Sequence, residues 1–284
     1  MNNRFFSPSK AMPYLLILPS MLYMLAFIGY PLVQSLSWAL LPDSHGSIPI
    51  VRILTSERFS EVLVNTFLLL LAIVPAQFAL ALLASLVLVQ RFPGREVSLY
   101  FFTVPLALSD VSAALIWYTM LSSRGFLNKL LMEAGLISSP IQFFGYAFRN
   151  MEFLAIVLTE VWRATAIVFI NIYAGFQTIN RELLEAADVF GLSSLQKLRY
   201  VTLPLLKPSI QSALIIRTLF ALQTFAPVLI LAGFDIPVLA TEAFYQYTLV
   251  MDVPTAAAWS LLIGAVTFAL GAFYLRALRT PEVG

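Results

Sequence analysis

Apolar residues in this chain come in long unbroken runs separated by short polar segments. Six runs, near 13–40, 64–90, 98–121, 152–179, 208–232 and 255–278, each hold the roughly 20 mostly apolar residues that a helix needs to cross a bilayer. They are too long for barrel strands and lack period-two alternation, so each predicts a transmembrane helix. The first run starts after Lys10, extends well past a signal-peptide core with Pro19 and Pro31 inside it, and is followed by no A-x-A pattern. It therefore reads as a retained span. The expected fold class is an all-α membrane protein of six transmembrane helices, one domain over 1–284.

Composition narrows the function. Of 284 residues, 60% are hydrophobic and 11% charged. A soluble domain carries roughly 25% charged residues, so the surroundings of this chain are mostly lipid. There is no cysteine and one histidine, His45. Disulfides, thiolate metal sites and cysteine nucleophiles are thereby excluded, and histidine metal clusters and a Ser-His-Asp triad nearly so. His45 falls in an external loop and is given no role. A net charge of +2 is too small to point to nucleic acid.

Basic residues set an orientation. With the N-terminus inside, Arg4, Lys10, Arg91, Arg95, Arg181, Lys197, Arg199, Lys207, Arg276 and Arg279 lie inside. Arg52, Arg58, Arg124, Lys129 and Arg149 lie outside, and Arg163 and Arg217 fall within spans. This two-to-one bias places both termini in the cytoplasm. The segment 233–254 holds Asp235, Glu242 and Asp252 and no basic residue, as an outside loop would.

The segment after the fourth run is the most informative. Residues 180–209 read NRELLEAADVFGLSSLQKLRYVTLPLLKPS. Asn180 is a good N-cap, with Glu182, Glu185 and Asp188 following at spacing three near a helix N-terminus. Gly191 suits the reversal after a helix. A second short helix is expected from Ser193 or Ser194 to about Thr202, broken by Pro204 and Pro208, which launch the fifth span. From pattern alone this is an interfacial helical hairpin, and a mere connector is as consistent with it as a docking element.

The spacing Glu185-Ala186-Ala187, three residues, Gly191, nine residues, then Val201-Thr202-Leu203-Pro204 resembles the EAA motif of ABC importer permeases, EAA-x3-G-x9-I-x-L-P, with valine in place of isoleucine. YLLILPSMLYMLAFIGYPLVQSL in the first run, NTFLLLLAIVPAQFALALLASLVL in the second and TLPLLKPSIQSALI after the motif are similar to the carbohydrate-importing branch, that of the maltose and glycerol-3-phosphate permeases. The resemblance implies a type I importer permease in the cytoplasmic (inner) membrane. It also implies that 180–208 is a cytoplasmic coupling loop carried by Glu182, Glu185, Ala186, Ala187, Asp188, Gly191, Leu203 and Pro204. Implied partners are an ABC ATPase dimer, a second permease chain, an extracytoplasmic solute-binding protein and a sugar solute. No G-x-x-x-x-G-K-[ST] phosphate loop occurs in the chain. ATP and Mg2+ are then expected on the partner ATPase, with no cofactor bound here and no enzyme activity of its own.

Charges within spans are costly and usually face a cavity or a partner. They are Asp110, Glu160, Arg163 and Arg217, two of each sign. Glu160 and Arg163 share a helix face at i, i+3, which Ala164, Ile167 and Asn171 continue; Arg217 shares one with Ala221 and Thr224. One reading is a set of ion pairs that hold the bundle. The other is a solute pathway, in which carboxylates and arginines bind sugar hydroxyls and Trp117, Tyr118 and Trp162 stack on the ring. Resemblance to the maltose permease, which has a tryptophan at the spacing of Trp162, places solute contacts at Glu160 and Ala164 and near Arg217. A mono- or disaccharide is the first choice of solute and glycerol-3-phosphate or another organic phosphate the second. A stand-alone secondary transporter and a membrane enzyme are the remaining alternatives. Asp43, Asp235, Glu242, Tyr245 and Tyr247 are candidates for contact with the binding protein.

Overall fold

The computed structural model describes residues 12–277 except 45; Arg4, Lys10, His45, Arg279 and the predicted end of the sixth span at 278 lie outside the described residues. Every regular element among the described residues is helical. The first span is a continuous helix, α1, Met12–Leu40. A short α2, Pro49–Leu54, leads to α3, Glu57–Leu88. Then come α4, Arg95–Thr103, α5, Asp110–Leu121, and α6, Phe126–Glu133. The long α7, Arg149–Thr178, precedes the hairpin helix α8, Arg181–Val189. Next are α9, Ser194–Ala221, α10, Ala226–Ala232, α11, Leu239–Tyr245, and α12, Val253–Ala277.

The core of the bundle is α3, α7 and α9. On α3 the buried positions Val62, Thr66, Leu69, Ile73, Gln77, Ala81, Ser85 and Leu88 recur every three or four residues, so one stripe faces inward. That stripe packs along α7. One apolar cluster gathers Leu69, Ile73, Ile156, Val228 and Ile236; a second gathers Ala81, Phe169, Ile172, Phe176 and Leu206. Close helix contact in lipid depends on small residues. At Gly175 of α7 an added Cβ would lie 2.4 Å from Ser209 Oγ of α9, so only glycine permits this approach.

The predicted third span is not one helix. The helical stretches Arg95–Ala107 and Asp110–Glu133 meet at 102°. Pro105 withholds a backbone donor, Leu108 is extended, and Ser109 restarts the chain as an N-cap, its hydroxyl accepting from Ser112 N–H at 3.1 Å. Asp110 consequently sits in the first turn of a new helix. The fifth span is also bent, by 48°, between Ser194–Ala221 and Ala226–Ala232.

Pro204 and Pro208 do not break the chain as expected, since α9 runs through both. A π segment, Leu198–Thr202, lies just before Pro204, and Leu203 N–H bonds the Leu198 carbonyl. The same device precedes Pro31 in α1, where Tyr30 N–H bonds the Leu25 carbonyl after the π segment Leu25–Gly29. The wider turn absorbs the register change that a missing proline donor imposes, and the helix continues.

Between Met12 and Leu40 only Ala39 is buried. Its last turns meet α12 while the rest shows an apolar surface, as a helix among lipid or partner chains can.

Candidate functional site

Two regions carry the candidate residues. The first is the hairpin of α8 and the start of α9. Asn180 Oδ1 accepts from Glu182 N–H at 3.1 Å and caps α8 as expected. The helix closes in a Schellman turn: Leu192 N–H bonds the Ala187 carbonyl at 3.1 Å and Gly191 N–H the Asp188 carbonyl at 3.0 Å. Gly191 has φ +72°, where side chains with a Cβ are strained. Ser193 then caps the second helix with a capping box: Ser193 N–H donates to Gln196 Oε1 at 2.8 Å while Gln196 N–H donates to Ser193 Oγ. Lys197 Nζ reaches Asp188 Oδ1 at 2.6 Å and ties the two helices together.

The hairpin turns an unusual surface outward. Val189 is 87% exposed and Phe190 82%, and Leu195 and Tyr200 are exposed too. Glu182, Glu185, Ala186 and Asp188 are exposed beside them, while Ala187 is buried in the hairpin. Leu203 is half-buried and Pro204 exposed. An apolar patch rimmed by carboxylates at a helical corner has the composition of a docking surface.

The second region lies in the middle of the bundle. There the structure brings Asp110, Glu160, Arg163 and Arg217 into one chain of ion pairs. Arg217 Nη2 bonds Glu160 Oε2, and both side chains are almost wholly buried. Arg163 Nη2 lies 3.4 Å from Glu160 Oε1, and Arg163 Nη1 lies 2.9 Å from Asp110 Oδ1. Two cations thus meet two anions, and the charge closes on itself. Arg163 Nε is buried without a hydrogen-bond acceptor.

Gln77 completes the network and is the residue that sequence reasoning missed. Its Oε1 accepts from Arg217 Nε at 2.5 Å, and its Nε2 donates to the Glu160 carbonyl at 2.7 Å. One amide so joins α3, α7 and α9. The signal in the sequence is its isolation: it is the one amide in the apolar stretch 67–85 of α3.

In this conformation Glu160, Ala164 and Arg217 offer no surface to a solute, being 1%, 0% and 1% exposed. The bundle-holding reading describes Glu160 and Arg217. The network reaches open space only at Asp110, whose side chain is 51% exposed. Nearby on the same two helices, Trp117 and Trp162 meet edge-on with ring centroids 6.2 Å apart, and Tyr118 stacks on Phe144. Asn171 donates to the Ile167 carbonyl of its own helix and stands outside the network.

The segments expected to lie outside are more closed than their polarity suggests. Glu242 is 1% exposed, paired with Arg58 Nε at 2.8 Å, so it is not available for a partner. Asp43 pairs with Arg52 at 2.9 Å, and Arg52 also reaches Asp252 at 2.9 Å, fastening the segment after α1 to the start of α12.

Comparison with known proteins follows the same lines. The sequence profile of a family described as "Binding-protein-dependent transport system inner membrane component" matches residues 3–280. The sulfoquinovosyl glycerol transport system permease protein of Agrobacterium fabrum is 32% identical over 295 residues, covering 96% of this chain and 92% of that protein. The trehalose/maltose transport system permease protein of Thermococcus litoralis is 32% identical over 230 residues, covering 78% and 76%. In structure, a chain of a bacterial ABC transporter involved in the import of the acidic polysaccharide alginate shares the fold, with a TM-score of 0.81, 23% identity and coverage of 95% and 96%.

Proposed function

The chain belongs to the family of binding-protein-dependent transport system inner membrane components, and from that premise we propose that it is the permease subunit of an ATP-driven carbohydrate importer. It is a multi-pass membrane subunit in the cytoplasmic (inner) membrane and forms half of the translocation pathway. A second, different permease chain forms the other half. A separate ATPase pair binds ATP and Mg2+, and an extracytoplasmic binding protein delivers the solute. Family membership sets aside the stand-alone secondary transporter and the membrane enzyme.

The observation that carries the coupling role is the hairpin. Its exposed corner of Val189 and Phe190 suits insertion into a cleft of the ATPase, and Glu185 supplies a charge for a basic or polar partner. Closure of the ATPase dimer on ATP would move this corner. Because α9 runs from Ser194 to Ala221 without interruption, the movement reaches Arg217 and its partners on α3 and α7. A bistable bundle driven by a nucleotide in this way alternates between inward- and outward-facing states.

A neutral mono- or disaccharide is the solute that the charges favour. An organic phosphate needs a spare cation in the pathway, and both Arg163 and Arg217 already hold carboxylates. The names of the two relatives at 32% identity support a carbohydrate solute: trehalose and maltose are neutral, whereas sulfoquinovosyl glycerol carries a sulfonate. Asp110, Trp117 and Trp162 are our candidates for contact with a sugar ring, with Arg163 holding Asp110 from within the bundle.

The test is Glu185→Lys in the assembled transporter. Glu185 is exposed, so the chain should insert and accumulate normally. Solute-stimulated ATP hydrolysis and co-purification of the ATPase should both fall sharply. Unchanged stimulated hydrolysis in that variant would overturn the coupling role.

A further inference from the structure

Behind the hairpin is a cavity of about 570 Å3 that neither the docking corner nor the charge network uses. Its apolar lining includes Leu86 and Val89 at the end of α3 and Phe176 near the end of α7, and the polar Gln90, Gln177, Ser194 and Thr202 line it as well. Its rim carries two cations, Arg181 and Lys197, and no acidic side chain lines it. Lys197 is held from outside by Asp188 at 2.6 Å; Arg181 has no ion-pair partner among the described residues. The cavity lies where two apolar spans end and a basic segment begins, which is the level of lipid headgroups on the cytoplasmic side.

We propose that this cavity is a binding site for an anionic phospholipid, with the headgroup phosphate at Arg181 and Lys197 and the acyl chains along Leu86, Val89 and Phe176. Charge and shape select this occupant together. A neutral amphiphile leaves Arg181 without a counter-charge, and a free inorganic anion leaves the apolar side chains uncovered. Basic pockets between spans on the cytoplasmic side take lipid headgroups for this reason, and the volume falls within the range of small-molecule sites. A lipid seated there wedges the hairpin away from the ends of α3 and α7, so the membrane's anionic lipid content sets the position from which the hairpin meets its partner.

The experiment is native mass spectrometry of the purified transporter released from nanodiscs of mixed phosphatidylcholine and phosphatidylglycerol. The readout needs neither ATP nor solute, so its failure is separate from failure of the coupling role. The wild-type assembly should retain phosphatidylglycerol in preference to phosphatidylcholine. Arg181→Gln should weaken that retention about fivefold, the worth of one cation near an anionic surface. Arg199→Gln, a cation outside the cavity lining, should leave it unchanged. Equal retention of the two lipids by the wild type, which requires no variant to assemble, would overturn the proposal. So would equal losses in the two variants, or displacement of phosphatidylglycerol by inorganic phosphate alone.

Discussion

The hairpin and the buried network use the same kinds of side chain under opposite rules. In the hairpin, carboxylates and lysine stand in water, and partners are near in sequence: Asp188 and Lys197 are nine residues apart. In the bundle, Arg217 meets Glu160 across 57 residues and Gln77 across 140. An exposed pair in water contributes little, because solvent screens it and side-chain entropy opposes it. A buried pair is costly to form and far more costly to leave half-made. Charge in the hairpin therefore acts on a partner. Charge in the bundle decides whether three helices stay together.

The sharpest way to break this contrast is Arg217→Ala. It leaves Glu160 with only the long 3.4 Å contact to Arg163 and should cost about 3–5 kcal/mol. Loss of folded chain is the expected outcome, measured by size-exclusion profile and thermal unfolding in detergent. Replacing Arg217 and Glu160 together by methionine should restore most of the folded yield, since an apolar substitute for a whole buried pair is often neutral. If Arg217→Ala folds normally and only solute uptake falls, Arg217 belongs to the pathway after all.

Gly191→Ala comes next. An added Cβ there has nothing within 4 Å, so the cost is backbone strain at φ +72° alone, about 1–2 kcal/mol. The bundle should melt unchanged, while limited proteolysis between α8 and α9 should quicken. A matching fall in the melting point of the whole chain would show that hairpin and bundle are one cooperative unit. The smallest effect belongs to Asp188→Asn. It removes an ion pair whose carboxylate is 57% exposed, and should alter stability by less than about 1 kcal/mol. A larger change would mean that the hairpin's internal pair acts as the buried ones do.

The legible parts of this molecule are those governed by local rules. The N-cap Asn180, the reversal at Gly191 and the helix start at Ser194 all follow from neighbours within a turn or two, and the structure has each of them. The long apolar runs also announced their helices, because length and hydropathy decide insertion residue by residue. Proline was misjudged for a related reason. Its missing donor is a local fact, but a π segment such as Leu198–Thr202 can absorb it, and no single residue in the sequence announces one.

By itself, then, the sequence determined an all-helical membrane chain, the spacing of a hairpin and the four charges that its spans must carry. It could not say with whom those charges pair, since Coulombic and hydrogen-bond partners are set by distance in space and not along the chain. Only the tertiary structure placed Gln77 between Arg217 and the Glu160 carbonyl, closed the charges on one another and bent the third span by 102°. The physical reason is desolvation. Once the helices pack and water is excluded, each buried polar group must find its partner on whichever helix is beside it.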